Sequence, residues 1–143
     1  MLAIASTGFA QNSSNYWARL DKSHPITTID SLSTVTLNAT NTGEYRLSMI
    51  YDGQFRNISP ENLALMQSNG FDKKELKNYK YELLFKHKDQ EFWLPVQSDL
   101  VEQFQIELRQ DEPVLLYTTV LQTPNQLNQK TLLVEEFKTD LTL

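Results

Sequence analysis

The amino-acid sequence predicts a mainly β, α+β domain, and three observations carry that prediction. Residues 32–51 and 79–94 alternate apolar and polar side chains, and 114–122 is a nearly continuous β-branched and apolar run. An amphipathic segment, 98–108, lies between strand-like runs, with Leu100, Val101, Phe104 and Leu108 on one helical face. A capped helical signal at 59–70 interrupts the strands once more. The 143 residues suit one domain, long enough to bury a core without disulfides. The expected organisation is a leader remnant and irregular arm over 1–31, a β-rich domain over 32–138 and a tail over 139–143.

The chain opens with a short apolar run ending Gly8-Phe9-Ala10. Small residues third and first before a break match a signal-peptidase site, so cleavage after Ala10 and a periplasmic or secreted location are expected. The run is shorter than the ~20 residues a membrane helix needs, so stable insertion is not expected. Residues 12–30 are polar and read as an irregular arm, anchored by Trp17. In "SLSTVTLNAT", Val35 and Leu37 share the inward face of a strand. A turn with Gly43 follows, and Tyr45, Leu47, Met49 and Tyr51 continue the hairpin.

"NISPENLALMQSNGF" carries the clearest local signal. Ser59 suits the N-cap, Pro60 the first helical position and Glu61 the first turn, while Gly70 supplies a left-handed stop. The helix should cover 60–69 and bury Leu63 with Met66 or Leu65. Asp72 with Glu75 has capping-box spacing for a second short turn.

A hairpin follows at 79–95, with Tyr81, Leu83 and Phe85 inward and Lys80, Glu82, Leu84 and Lys86 outward. Pro95 should end its ladder, having no N–H to donate. Ser98 or Asp99 then caps the amphipathic helix, with Asp99 and Glu102 as a second capping box. Asp111-Glu112-Pro113 breaks it. Strands at 114–122 and 131–137 flank a polar loop at 123–130.

Phe92-Trp93-Leu94-Pro95-Val96, Leu115-Leu116-Tyr117 and Leu132-Leu133-Val134-Glu135-Glu136-Phe137, taken in this order with a helix after the third strand, resemble the OB-fold. They also resemble pieces of small exported bacterial proteins. The resemblance implies a five-stranded antiparallel barrel with a helix between strands three and four, and makes 60–78 an insertion. A cystatin-like sheet packed on the same helices is the alternative.

Charge and composition narrow the chemistry. The net charge is −5, which disfavours nucleic acid. Its distribution is uneven: 73–88 carries six lysines and two glutamates, whereas 89–143 carries three basic and ten acidic groups. With no cysteine, disulfides and thiolate chemistry are excluded. His24 reads as a solvated loop residue and His87 as a surface residue at a hairpin tip. Neither has metal-ligand spacing, so no metal or cofactor is expected. No nucleophile elbow or phosphate loop is present, and Asp111-Glu112 and Glu135-Glu136 read as a helix breaker and an exposed strand end. No catalytic residue stands out.

One binding face is suggested. Tyr79, Tyr81, Phe85 and Trp93, flanked by Lys80, Lys86 and Lys88, offer stacking surfaces and cations of the kind barrel faces use. The alternative assigns Tyr81 and Phe85 to the core. The expectation is an exported, non-enzymatic module that recognises an envelope protein or a glycan. A small enzyme and a structural subunit of a homo-oligomer are the rival readings.

Overall fold

A computed structural model describes residues 6–32, 43–123 and 126–139. Five strands close into a barrel in the order β1-β2-β3-β5-β4: β1 (Glu44–Asn57), β2 (Tyr81–His87), β3 (Gln90–Val96), β4 (Glu112–Thr123) and β5 (Gln126–Lys138). This is the mainly β, OB-like barrel that the element order implies, and closure excludes an open cystatin-like sheet. Most neighbours pair antiparallel, and β3 meets β5 in parallel through one pair, Val96↔Val134. The expected first strand of the opening hairpin, from Ser33 to Thr40, lies outside the described residues.

β1 serves two neighbours because it bends. Its first half pairs with β4 and its second half with β2, and the β2 register shifts between Tyr51 and Phe55. Gly53 sits within that irregularity at φ 100°, a conformation that costs glycine little and other residues much.

α5 (Ser98–Glu107) joins β3 to β4 and seals one end of the interior. Leu100, Val101, Phe104 and Leu108 are all buried, as their spacing predicts. The Phe104 ring stacks on Phe137 with centroids 3.9 Å apart and also meets Tyr51 and Phe85. The cap differs from expectation. Gln97 holds the N-cap position without a side-chain bond, and neither Ser98 nor Asp99 caps. Ser98 instead ties down the segment before β2: its Oγ accepts from Lys80 N and its N donates to Asn78 O.

The insertion between β1 and β2 forms α3 (Pro60–Ser68) and α4 (Lys73–Leu76). Ser59 caps α3, Gly70 stops it at φ 90°, and the Asp72–Glu75 capping box closes on α4. Leu65 and Met66 are buried rather than Leu63. Met66 packs on Leu121 and Leu133, so α3 covers the outside of the barrel. That cover explains why Glu82, expected to face outward, is buried on the outer side of β2, where Ser59 and Asn62 bond it; Leu84, also expected outward, is buried as well.

Two strand boundaries are corrected. Pairing continues past Pro95, with Glu82↔Pro95 and Tyr81↔Val96, because alternate residues of an antiparallel strand need no N–H toward that partner. The polar loop expected over 123–130 is strand from Gln126 onward.

The N-terminal arm is also corrected: it forms α1 (Ser6–Ser23), followed by α2 (Ile29–Leu32). Trp17, Asp21 and His24 are four and three residues apart, one helical face, and that face docks on the barrel. The Trp17 ring lies 5.6 Å from that of Tyr117. Asp21 accepts from Tyr117 Oη at 2.5 Å and pairs with Arg46 at 2.6 Å. Pro25 follows the helix, and 25–27 runs beside β1, with Thr27 N donating to Arg46 O and Arg46 N to Pro25 O. Among the described residues no helix is long and apolar enough to cross a membrane.

Candidate functional site

The aromatic face read from the sequence is divided. Phe85 is fully buried inside the barrel, where it packs against Phe104. Tyr81 is half-buried against the same core, and its outer edge meets Phe55 at 5.9 Å. Tyr79 belongs to the separate cluster beneath α3, edge-on to Phe71. Burial, with Glu135 and Glu75 nearby, pushes its hydroxyl up to about 12. Trp93 points out of the barrel under the Arg56 guanidinium, 4.2 Å from the ring centroid. The lysines are dispersed as well. Lys86 lies between Asp52 and Asp111, Lys88 pairs with Asp30 at 2.8 Å, and Lys80 is exposed beside the helical insertion. Tyr81 and Phe85 share the inner face of β2, while Trp93 on β3 faces outward and Tyr79 lies in the α3 cluster, which prevents one continuous stacking surface.

A different feature offers a site. β3 and β5 share only Val96↔Val134, and away from that pair they flank a cavity of about 440 Å³. Phe92 and Leu94 form one wall and Leu132 the other, with Val120 at the back and Ile29 and Leu32 of α2 as a third side. Leu94, Val120 and Leu132 also belong to the main core, so the cavity reaches the barrel interior. Polar groups come from Asp30, Gln90, Lys130 and Thr131. Asp30 is held by Lys88, and Lys130 Nζ donates to Leu32 O at 3.3 Å, which fixes α2 beside the opening. The bond from Lys88 outweighs a smaller desolvation effect and, with His87 nearby, holds the Asp30 carboxyl below its usual range. An apolar chamber of this size with a few polar groups suits a ligand.

α3 braces the outer side of the same seam. Asn62 Nδ2 donates to Trp93 O of β3, while Met66 rests on Leu133 of β5. The brace is anchored on Glu82, which is wholly buried. Its carboxylate accepts from Arg56 Nε at 2.8 Å, Ser59 N at 2.9 Å, Ser59 Oγ at 2.6 Å and Asn62 Nδ2 at 2.5 Å. Burial works to raise the Glu82 carboxyl, but these donors outweigh it and leave it below the usual carboxylate range.

The junction between α1 and the barrel also departs from expectation. His24 is 3% exposed, a buried residue rather than a solvated one. His87 is half-buried, its Nε2 3.5 Å from Asp30. The Glu135-Glu136 pair is not an exposed strand end. Both residues lie half-buried beside α1, Glu136 accepting from Tyr16 Oη and Glu135 from Thr119 Oγ1. Burial and the bond to Asp21 push the Tyr117 hydroxyl up to about 12. These contacts join residues distant in sequence, so spacing alone gave no signal of them. No protein-family model matches the chain, and no curated protein matches it either.

Proposed function

We propose that the chain is an exported, non-enzymatic binding module that takes an apolar segment of a partner protein into the opening between β3 and β5. The observation that carries this reading is the 440 Å³ cavity at the one point where the barrel wall is joined by a single residue pair. Its walls are aliphatic and aromatic and its polar groups are few, which suits leucine- or valine-like side chains better than a glycan. Sugars need a broad stacking face with many hydrogen-bonding groups, and the aromatic residues expected to form one are divided among core, α3 cluster and outer surface.

The test is displacement of a hydrophobic fluorescent dye by a capped pentapeptide of leucine and valine. Wild-type chain should bind the dye and release it to the peptide. Gln90→Trp and Ile29→Trp, which fill the opening from partly or fully exposed positions, should reduce peptide affinity at least tenfold. Gln90→Trp, at an exposed position, should keep thermal stability within about 0.5 kcal/mol, as surface changes do, and circular dichroism verifies folding of Ile29→Trp, whose side chain packs against the core. Unchanged binding in both variants would remove the cavity from consideration. Export has its own check: the mature protein should begin at Gln11, which leaves Tyr16, Trp17, Asp21 and His24 in place. An intact N-terminus on exported protein contradicts it.

A further inference from the structure

We propose that His24, Glu44 and Glu135 form a binding site for a divalent transition-metal ion, with zinc as the best-fitting case, that clamps α1 to the barrel. Three elements supply the ligands. His24 follows the last turn of α1, Glu44 is the first residue of β1, and Glu135 lies in β5. The register explains the last placement. Tyr117 pairs with Glu136 and Thr118 with Val134, so Glu135 is the extra residue of a β-bulge. The bulge lets both Glu135 and Glu136 face α1, one toward His24 and one toward Tyr16.

The distances favour a shared ion over direct hydrogen bonds. His24 Nε2 lies 3.5 Å from Glu44 Oε2 and 3.6 Å from Glu135 Oε1. Both separations exceed the 2.7–3.2 Å range of an N–H···O bond. They match the edge of a zinc tetrahedron, which is about 3.4 Å for ligand bonds of ~2.1 Å. All three ligand atoms lie within 4.8 Å of one another.

The state of His24 points the same way. Its Nδ1 lies 2.8 Å from Ser23 Oγ and 3.0 Å from Leu20 O, and Ser23 Oγ donates to that same carbonyl. With Ser23 Oγ donating to Leu20 O, a proton on Nδ1 can be donated to Ser23 Oγ or to that carbonyl, and in this tautomer the Nε2 lone pair is aimed at two carboxylates. Nε2 is buried and has no hydrogen-bond partner. A doubly charged cation among the three accepts an electron pair from each ligand and is balanced by carboxylate charge. The outer contacts have the form found around metal ligands: Nδ1 on a backbone carbonyl and Thr119 Oγ1 donating to Glu135 Oε1 at 2.7 Å. An imidazole nitrogen selects zinc and its transition-metal neighbours over calcium and magnesium, which prefer oxygen. Three protein ligands leave a fourth position open to water or a partner group.

The experiment uses full-length, tag-free chain stripped with a chelator and titrated calorimetrically with zinc, and separately with cobalt followed by absorbance. One equivalent of zinc should bind, calcium and magnesium should not compete, and cobalt should give the intense visible bands of four-coordination. Glu44→Gln and Glu135→Gln should each weaken zinc at least tenfold, Thr119→Val about tenfold, and His87→Gln not at all. Circular dichroism verifies folding of each variant. The absence of a one-equivalent site in the wild-type chain overturns the proposal. So do weak octahedral cobalt bands, and so does zinc affinity unchanged by both glutamate substitutions. The cobalt spectrum of the wild-type chain decides the matter even where a variant does not fold.

Discussion

Replacing Glu82 with glutamine should destabilise the protein far more than its nearly identical shape suggests. Besides Arg56, three donor groups converge on this carboxylate: Ser59 N, Ser59 Oγ and Asn62 Nδ2. All three bond the same oxygen, Oε2, so glutamine can keep its carbonyl there and turn its N–H₂ toward Arg56, but the three bonds lose the charge of the carboxylate that accepts them. A hydrogen bond to a charged group contributes about 1.5–3 kcal/mol and a neutral one about 0.5–1.5, so weakening three of them should cost about 2–4 kcal/mol. Arg56 adds little, because its side chain is 47% exposed and a partly solvated pair is weak. Urea unfolding measures this directly, as a lower midpoint with an unchanged slope. The pH dependence has a defined sign. The folded state holds the Glu82 carboxyl below its usual value, so its contribution is complete above the unfolded pKa, near 4.3–4.5, and is lost as pH falls through the folded value. The wild-type chain should therefore lose stability below pH 4.5 more steeply than Glu82→Gln. A loss under 0.5 kcal/mol, or parallel acid profiles, would refute the reasoning.

Phe104→Ala removes the ring that stacks on Phe137 and meets Tyr51 and Phe85. Calorimetric or urea unfolding should show a loss of about 3–5 kcal/mol, and a loss below 1 kcal/mol would mean that α5 does not seal the barrel. In a spectrophotometric titration, Tyr16, Tyr79 and Tyr117, half of the six tyrosines, should stay protonated at pH 11, since burial pushes each up to about 12. The folded state holds these protons more tightly than the unfolded chain, so stability should fall as pH rises from about 10 toward 12. Full ionisation of all six by pH 11 in the folded chain would contradict this burial.

The elements with local chemistry were the legible ones. The Ser59-Pro60 start and Gly70 stop of α3, the Asp72–Glu75 box of α4 and the Leu100/Val101/Phe104/Leu108 face of α5 each depend on residues within a turn or two of each other, and each formed where expected. α1 reads as an irregular arm because its docking face is Trp17, Asp21 and His24, which has helical spacing but lacks the apolar stripe that marks an amphipathic helix. Glu82 looked like an outward strand residue because nothing in β2 announces that α3 will fold across it. Of the binding face, residue types were legible and placement was not. Tyr81 and Phe85 turned inward as the alternation of β2 required, while Trp93 turned outward on β3. The cavity beside Val96↔Val134 depends on where β3 and β5 part, a parallel contact between segments 38 residues apart that no local pattern encodes. His24, Glu44 and Glu135 meet for similarly non-local reasons, through a helix end, a strand start and a bulge.

The most direct measurement is a methyl-resolved NMR titration of the chain with the capped leucine–valine pentapeptide. Saturable shifts confined to Ile29, Leu32, Leu94, Val120 and Leu132 are predicted, with the methyls of Ile58, Met66 and Leu121 in the α3 cluster unmoved. Shifts concentrated beneath α3 or around Leu83, or no saturable shift in any of these methyls, would contradict a ligand site in the parted wall of the barrel.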